Sequence, residues 1–183
     1  MITQQRKSHT SLGKIYFWTA TIHKWYTLLQ EDKMKGIIID YLKILSDEKK
    51  ITMYGFVLML NHLHFIWQQH ILNGKELPKG SFMKYTAHKF REILQEENKL
   101  HLYKVEATNK KHEIWQRDSL GVEIYSREVA QQKLDYINCN PARGKWSLAK
   151  DDISYYYSSA KFYETGVDDF GFLNNLYTVF DGL

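Results

Sequence analysis

Two histidines stand one residue apart inside the most apolar run of the chain, residues 53–67 (MYGFVLMLNHLHFIW). In an extended strand, residues two apart point to the same face. His62 and His64 therefore project together, with Leu63 on the other side. Two imidazoles on one face can hold a divalent cation, although two nitrogens do not complete a coordination sphere. The same pair also suits two histidines packed in a core, and spacing alone leaves both readings open. A second candidate is LDYINCNPARGKW, residues 134–146. Tyr136 and Asn140 lie four apart and share one face of a helix. A phenol hydroxyl beside a metal-bound phosphate can attack phosphorus, and an amide oxygen can ligate a hard cation. Equally, Tyr136 can be a packing residue and Asn140 the end of a helix before Pro141.

The elements that must position these residues follow from periodicity. Residues 14–22 (KIYFWTATI) alternate like a strand rich in β-branched and aromatic side chains. Met34, Ile37, Ile38, Tyr41, Leu42 and Leu45 follow the helical period, predicting a helix over 31–46. Residues 51–68 are too long for one strand, so a hairpin with a tight turn at Leu60–Asn61 is expected. Residues 71–80, with Asn-Gly and Pro, read as loop. Ser81 is expected to cap a helix over 82–97 with Phe82, Tyr85, Phe90, Ile93 and Leu94 as its apolar stripe. Residues 97–113 read as a polar connection, and 114–125 (IWQRDSLGVEIY) as a strand-like return. Ser126 is expected to cap a helix from 127 to Asn140, stopped by Pro141. The order β-α-ββ-α-β-α predicts an α+β fold: a ferredoxin-like sandwich, an antiparallel sheet of about four to five strands with helices packed on it and a final, tyrosine-bearing helix.

Composition bounds the function. The 183 residues predict one domain, with a core over about 14–166 and a tail over 167–183. A hydrophobic content of 44% and an aromatic content of 15% exclude intrinsic disorder. Cys139 is the single cysteine, which excludes a disulfide framework and suits a reducing cytoplasm. The polar opening stretch lacks the apolar segment of a signal peptide, and no run of about 18 apolar residues suggests a membrane span. The net charge of +4 is compatible with nucleic acid without requiring it.

The ordered set of motifs resembles the single-tyrosine HUH transposases, and within them the branch associated with REP palindromes of bacterial genomes. MLNHLHFIW resembles that family's Met-Pro-Asn-His-hydrophobic-His. YINCNPARG resembles its Tyr-Ile-His-x-Asn-Pro. SFMKYTAHKF, IWQRDSLGVEIYS and ISYYYSSAKFYETG match the helix between them, the Trp-Gln-Arg-Asp segment and the Tyr-Ser-Ser element, all in order over 14–166. Leu60 departs from the family's proline, and Asn138 from its histidine. The resemblance implies that His62, His64 and Asn140 hold one Mg²⁺ or Mn²⁺. It implies that Tyr136 attacks single-stranded DNA at palindromic or hairpin ends, leaving a 5′-phosphotyrosine and a free 3′-OH that permits strand transfer.

Candidate DNA contacts are Lys84, His88 and Arg91, spaced i, i+4, i+7 on the 82–97 helix, together with Arg117, Arg143 and Lys145. A solvated helix face explains the first three almost as well. Trp115 and Trp146 suit core positions better than base stacking. A monomer is expected in preference to a homodimer, with no membrane partner and a cytoplasmic, nucleoid-associated location. Three other classes compete. A domesticated hairpin-binding protein without transposition activity is disfavoured by the retained histidines, Tyr136 and Asn140. A replication initiator or relaxase is disfavoured by the short chain, and a zinc hydrolase by the lack of His-Glu-x-x-His.

Overall fold

The computed structural model describes residues 10–117, 119–143 and 146–181. Alternation in the first strand, β1 (Ile15–Thr21), sends Tyr16, Trp18 and Ala20 to one side and Ile15, Phe17, Thr19 and Thr21 to the other. A helix α1 (Asp32–Asp47) follows. The hairpin β2 (Ile51–Leu58) and β3 (His62–Gln69) turns at Leu60–Asn61, as its length predicts. After α2 (Pro78–Glu96) come a short hairpin, β4 (Lys104–Ala107) and β5 (Lys110–His112), then β6 (Leu120–Glu123) and α3 (Arg127–Cys139). A short helix α4 (Ala160–Thr165) lies in the C-terminal segment. The main sheet has the order β2-β3-β1-β6, with every neighbouring pair antiparallel. That is the expected ferredoxin-like arrangement, with four strands.

Each face of the sheet buries its own apolar cluster. On one face Trp18, Phe65 and Trp67 meet the stripes of α1 (Met34, Ile38, Leu42, Leu45) and α2 (Phe82, Phe90, Leu94). Trp18 stacks on Trp67 at 5.2 Å between centroids, and Phe82 stands edge-on to Trp18 at 5.9 Å. On the other face Ile15, Phe17, Val57 and Ile66 meet Ala130, Leu134 and Ile137 of α3, spaced i, i+4, i+7. Gly55, beside a bulge in β2, lets α3 come close: a Cβ there would lie 3.1 Å from Leu134 Cδ1.

Three expectations are corrected. Ser81 does not cap α2. The helix begins at Pro78, whose fixed φ suits the first helical position. Ser81 is buried inside it, its hydroxyl donating to the Pro78 carbonyl at 2.9 Å. The loop therefore ends before 78 rather than at 80. The polar connection over 97–113 contains the β4–β5 hairpin, whose strands are only four and three residues long and bury no residue fully, so the alternation of Val105 and Ala107 is too short to stand out from a polar stretch. Ser126 does cap α3, its hydroxyl accepting from the Val129 amide at 3.3 Å, and the helix gives way to a 3₁₀ turn at Asn140. Ser126→Ala is expected to cost about 1 kcal/mol, read as a shift of the urea midpoint with the slope unchanged.

The C-terminal segment covers the free edge of β2. The Leu58 amide donates to the Tyr157 carbonyl at 3.0 Å, the Ser159 amide to the Phe56 carbonyl at 2.9 Å, and the Asn174 amide to the Met53 carbonyl at 2.9 Å. An edge strand that would otherwise present unpaired amides is thereby closed. Beyond it, Leu176 is fully buried and Asp181 pairs with Arg127 at 2.7 Å, so the tail lies against the first turns of α3.

Candidate active site

The α3 stripe fixes what stands above the sheet. With Ala130, Leu134 and Ile137 packed down, Lys133 and Tyr136 fall on the flank that overhangs β1 and β3. The antiparallel register sets Thr21 across from His62, Thr19 across from His64 and Phe17 across from Ile66, all on the α3 face. Four rings converge there. His64 lies 5.0 Å from His62 and 5.1 Å from Tyr136 between centroids, both edge-on, and 5.2 Å from Phe17, stacked. Phe17 meets Tyr136 edge-on at 5.8 Å. Tyr136 itself is 52% exposed, while His64 is only 5% exposed. The site is thus a buried imidazole under a phenol that reaches solvent.

Hydrogen bonds set the ring states. Asn61 is 4% exposed, and its amide nitrogen donates to the Trp25 carbonyl at 3.1 Å. That bond fixes which end of the amide is oxygen. Asn61 Oδ1 then faces His62 Nδ1 at 2.7 Å and can only accept, so in the neutral ring Nδ1 carries the proton and Nε2 keeps the lone pair. His64 Nδ1 meets the Thr19 hydroxyl at 2.7 Å. Its Nε2 is buried without a hydrogen-bond partner among the described residues. Burial, reinforced by the charges of His62 and Lys133, pushes the His64 pKa down to about 3. His64 is therefore neutral at physiological pH, the state in which imidazole binds a metal.

A divalent cation fits this donor set. A neutral imidazole with an orphaned, buried Nε2 stands beside a second imidazole whose tautomer is fixed. Among the described residues no group of three or more His, Cys, Asp or Glu forms a metal cage. Further ligands would have to be amide, solvent or substrate oxygens. Asn140, one turn beyond Tyr136, lines with it an open pocket of about 390 Å³ that also touches Gln132, Asp135, Cys139 and Arg143.

The remaining sequence candidates are dispersed. Lys84, His88 and Arg91 lie on α2, which packs on the sheet face opposite the histidines. Lys84 pairs with Glu76 at 2.7 Å and His88 with Glu92 at 3.2 Å. Arg117 is exposed, 3.8 Å from Glu113. Trp115 is core, its indole N–H donating to Thr86 at 3.0 Å, and Trp146 packs against the α3-side cluster. Lys145 lies outside the described residues. Asn138, where the resembling family has histidine, accepts from Ser159 at 3.0 Å and so ties α3 to the segment along β2.

Four residues around the site escaped sequence reasoning. Thr19 interrupts an apolar face of β1, and Lys133 lies i−3 from Tyr136; both signals were present. Asn61 reads as a turn residue until its two partners are seen. Trp25 carries no pattern at all. It follows Lys24 in a left-handed stretch, with φ of 51° and 58°, a conformation that costs non-glycine residues about 1–2 kcal/mol each.

A ferredoxin-like sheet carrying a His-x-His pair beneath a helical tyrosine is the arrangement that the resemblance to the single-tyrosine HUH transposases implies. The structure superposes on that of a REP-associated tyrosine transposase bound to a REP hairpin with a TM-score of 0.62 at 15% identity, over 95% of this chain and 93% of that one. The chain shares that transposase's fold. A Deinococcus radiodurans R1 protein described provisionally as a transposase superposes with a TM-score of 0.43 at 12% identity, over 72% of this chain and 95% of that one, and is too distant in shape to bear on the fold. No protein-family model and no curated protein sequence matches the chain.

Proposed function

We propose that the protein is a metal-dependent nickase and strand transferase acting on single-stranded DNA next to a palindrome or hairpin. The observation that carries this reading is the meeting of the His62/His64 pair with Tyr136 on one face of the sheet. It is supported by the orphaned Nε2 of His64 and by a shared fold with a transposase solved on a REP hairpin.

His62, His64 and, in this reading, Asn140 would hold one Mg²⁺ or Mn²⁺, which polarises the scissile phosphate when bound. The chain's own groups do the rest. The Tyr136 hydroxyl attacks phosphorus, the O3′ leaves as a free hydroxyl, and the 5′-phosphate stays esterified to the phenol oxygen. The stored ester permits rejoining to another 3′-OH without nucleotide energy. Phe17 supports the phenol ring edge-on, and Thr19 and Asn61 hold the imidazoles. Lys133, whose ammonium lies 5.1 Å over the Phe17 ring, is placed to meet a phosphate beside Tyr136. Arg143, on the wall of the adjoining pocket, extends the cationic surface. Lys84, His88, Arg91 and Arg117 would serve only DNA that runs beyond the site. The tail over the β2 edge and the start of α3 supports a monomer. Among the described residues, no helix is long and apolar enough to cross a membrane.

The test is incubation with hairpin-bearing single-stranded DNA and Mn²⁺, then denaturing electrophoresis. A covalent adduct whose DNA-linked peptide contains Tyr136 is expected. Binding without any adduct across a hairpin library would replace the enzyme with a hairpin-binding module. Lys133→Ala is expected to reduce the slope of log affinity against log salt by about 1, whatever the DNA sequence, in a filter-binding titration.

A further inference from the structure

Trp25 is 59% exposed, whereas Trp18 and Trp67 are fully buried and Trp115 nearly so. Its placement is specified rather than incidental. It follows β1 directly in a 3₁₀ turn, with its amide donating to the Ile22 carbonyl at 2.9 Å. Its carbonyl is gripped at 3.1 Å by the same buried Asn61 that orients His62. Both it and Lys24 are held left-handed, a conformation that persists only where the surroundings impose it. The consequence is an indole whose edge meets the His62 ring at 6.3 Å and 67° while more than half of the residue remains open to solvent. Lys24, the preceding residue, is exposed as well.

We propose that Trp25 is a stacking platform for an unpaired base next to the scissile phosphate, with Lys24 meeting the adjoining backbone phosphate. This rests on the single-stranded DNA reading above. A flat π-face beside a cation is the combination by which proteins hold single strands, and it accepts any base. Because Asn61 grips both the Trp25 backbone and the His62 ring, a base stacked on Trp25 is held in fixed relation to the histidine pair. Trp25 thereby sets which phosphate is presented to Tyr136. The α2 residues, across the sheet, are not placed to do this.

The experiment is a titration of the full chain, in EDTA, with a hairpin oligonucleotide carrying a single-stranded extension. Intrinsic fluorescence and its quenching by iodide are read together with affinity. Wild type is expected to show iodide-accessible emission that becomes protected as DNA binds. Trp25→Ala should remove that signal and weaken binding about 5- to 150-fold, with the salt slope unchanged, and Trp25→Phe should recover most of the affinity. With Mn²⁺ and saturating DNA, Trp25→Ala should still form the Tyr136 adduct but spread cleavage over neighbouring phosphates. If Trp25→Ala binds as wild type does and cuts at the same single phosphate, the platform is overturned while adduct formation still supports the nickase. If wild type binds no single-stranded DNA, both readings fall. If sedimentation shows self-association that Trp25→Ala abolishes, with DNA affinity unmoved, Trp25 is a protein contact and the proposal is wrong.

Discussion

Replacing Tyr136 by phenylalanine is expected to abolish the covalent DNA adduct and leave nearly everything else intact. The phenol ring packs edge-on against both His64 and Phe17, and phenylalanine keeps both contacts. The residue is half-exposed, and the change removes only a hydroxyl. Stability should move by less than about 0.5 kcal/mol, as for a surface change away from caps and cavities. Adduct formation should drop by about 10³- to 10⁶-fold, the scale on which losing a nucleophile is felt, which on a denaturing gel means no band. Hairpin affinity and Mn²⁺ binding should be retained, since the imidazoles and cationic side chains are unaltered. An adduct that survives Tyr136→Phe would transfer the nucleophile elsewhere and remove the central claim. Tyr125, 76% exposed just after β6, would then be the next phenol to test.

What made this site legible in the sequence was periodicity, and what hid the rest was its limits. The His-x-His pair declared its shared face because strand alternation is strict, and α3 declared its flank because Ala130, Leu134 and Ile137 repeat at helical spacing. The hairpin turn at Leu60–Asn61 followed from strand length alone and formed despite leucine in place of the resembling family's proline. By contrast, Ser81 imitated a cap because Ser before an apolar helix usually is one. Pro78 was the truer signal, and burial of the Ser81 hydroxyl inside the first turns was invisible in one dimension. The β4–β5 hairpin alternates exposed with half-buried residues over only four and three positions, too few to signal a strand. The basic stripe of α2 was read correctly as a stripe, but which side of a sheet a helix covers is a matter of chain crossover. Asn61 and Trp25 depend on the Trp25 carbonyl meeting the Asn61 amide and the His62 ring from a segment 36 residues away, and no local pattern encodes that.

The electrostatics of His64 yield the second large expectation, a loss of stability as pH falls from 7 to 5 with metal removed by EDTA. His64 has its folded-state pKa pushed down to about 3 by burial and by the charges of His62 and Lys133. In the unfolded chain it titrates at its ordinary value near 6.5. Between those values the unfolded state binds the extra proton. Stability therefore rises with pH in that window and falls on acidification. The unfolded-state titration alone contributes about 2 kcal/mol between pH 7 and pH 5. His23 and His112, also lowered chiefly by burial, act in the same direction. The paired carboxylates Glu92 and Glu97 are held below their usual range and titrate at lower pH, outside this window. Urea unfolding at pH 5, 6 and 7 separates the contributions. His64→Gln, which removes the titrating group, should lower the difference between pH 7 and pH 5 by about 2 kcal/mol. At pH 7, Mn²⁺ at a hundredfold its Kd should add about 2.7 kcal/mol to wild type and far less to His64→Gln. A pH profile identical in the two proteins would mean that His64 titrates normally and is not the buried, neutral ligand that the site requires. A missing Mn²⁺ increment in wild type would remove the metal while leaving the geometry of Tyr136 over the histidine pair to be explained in another way.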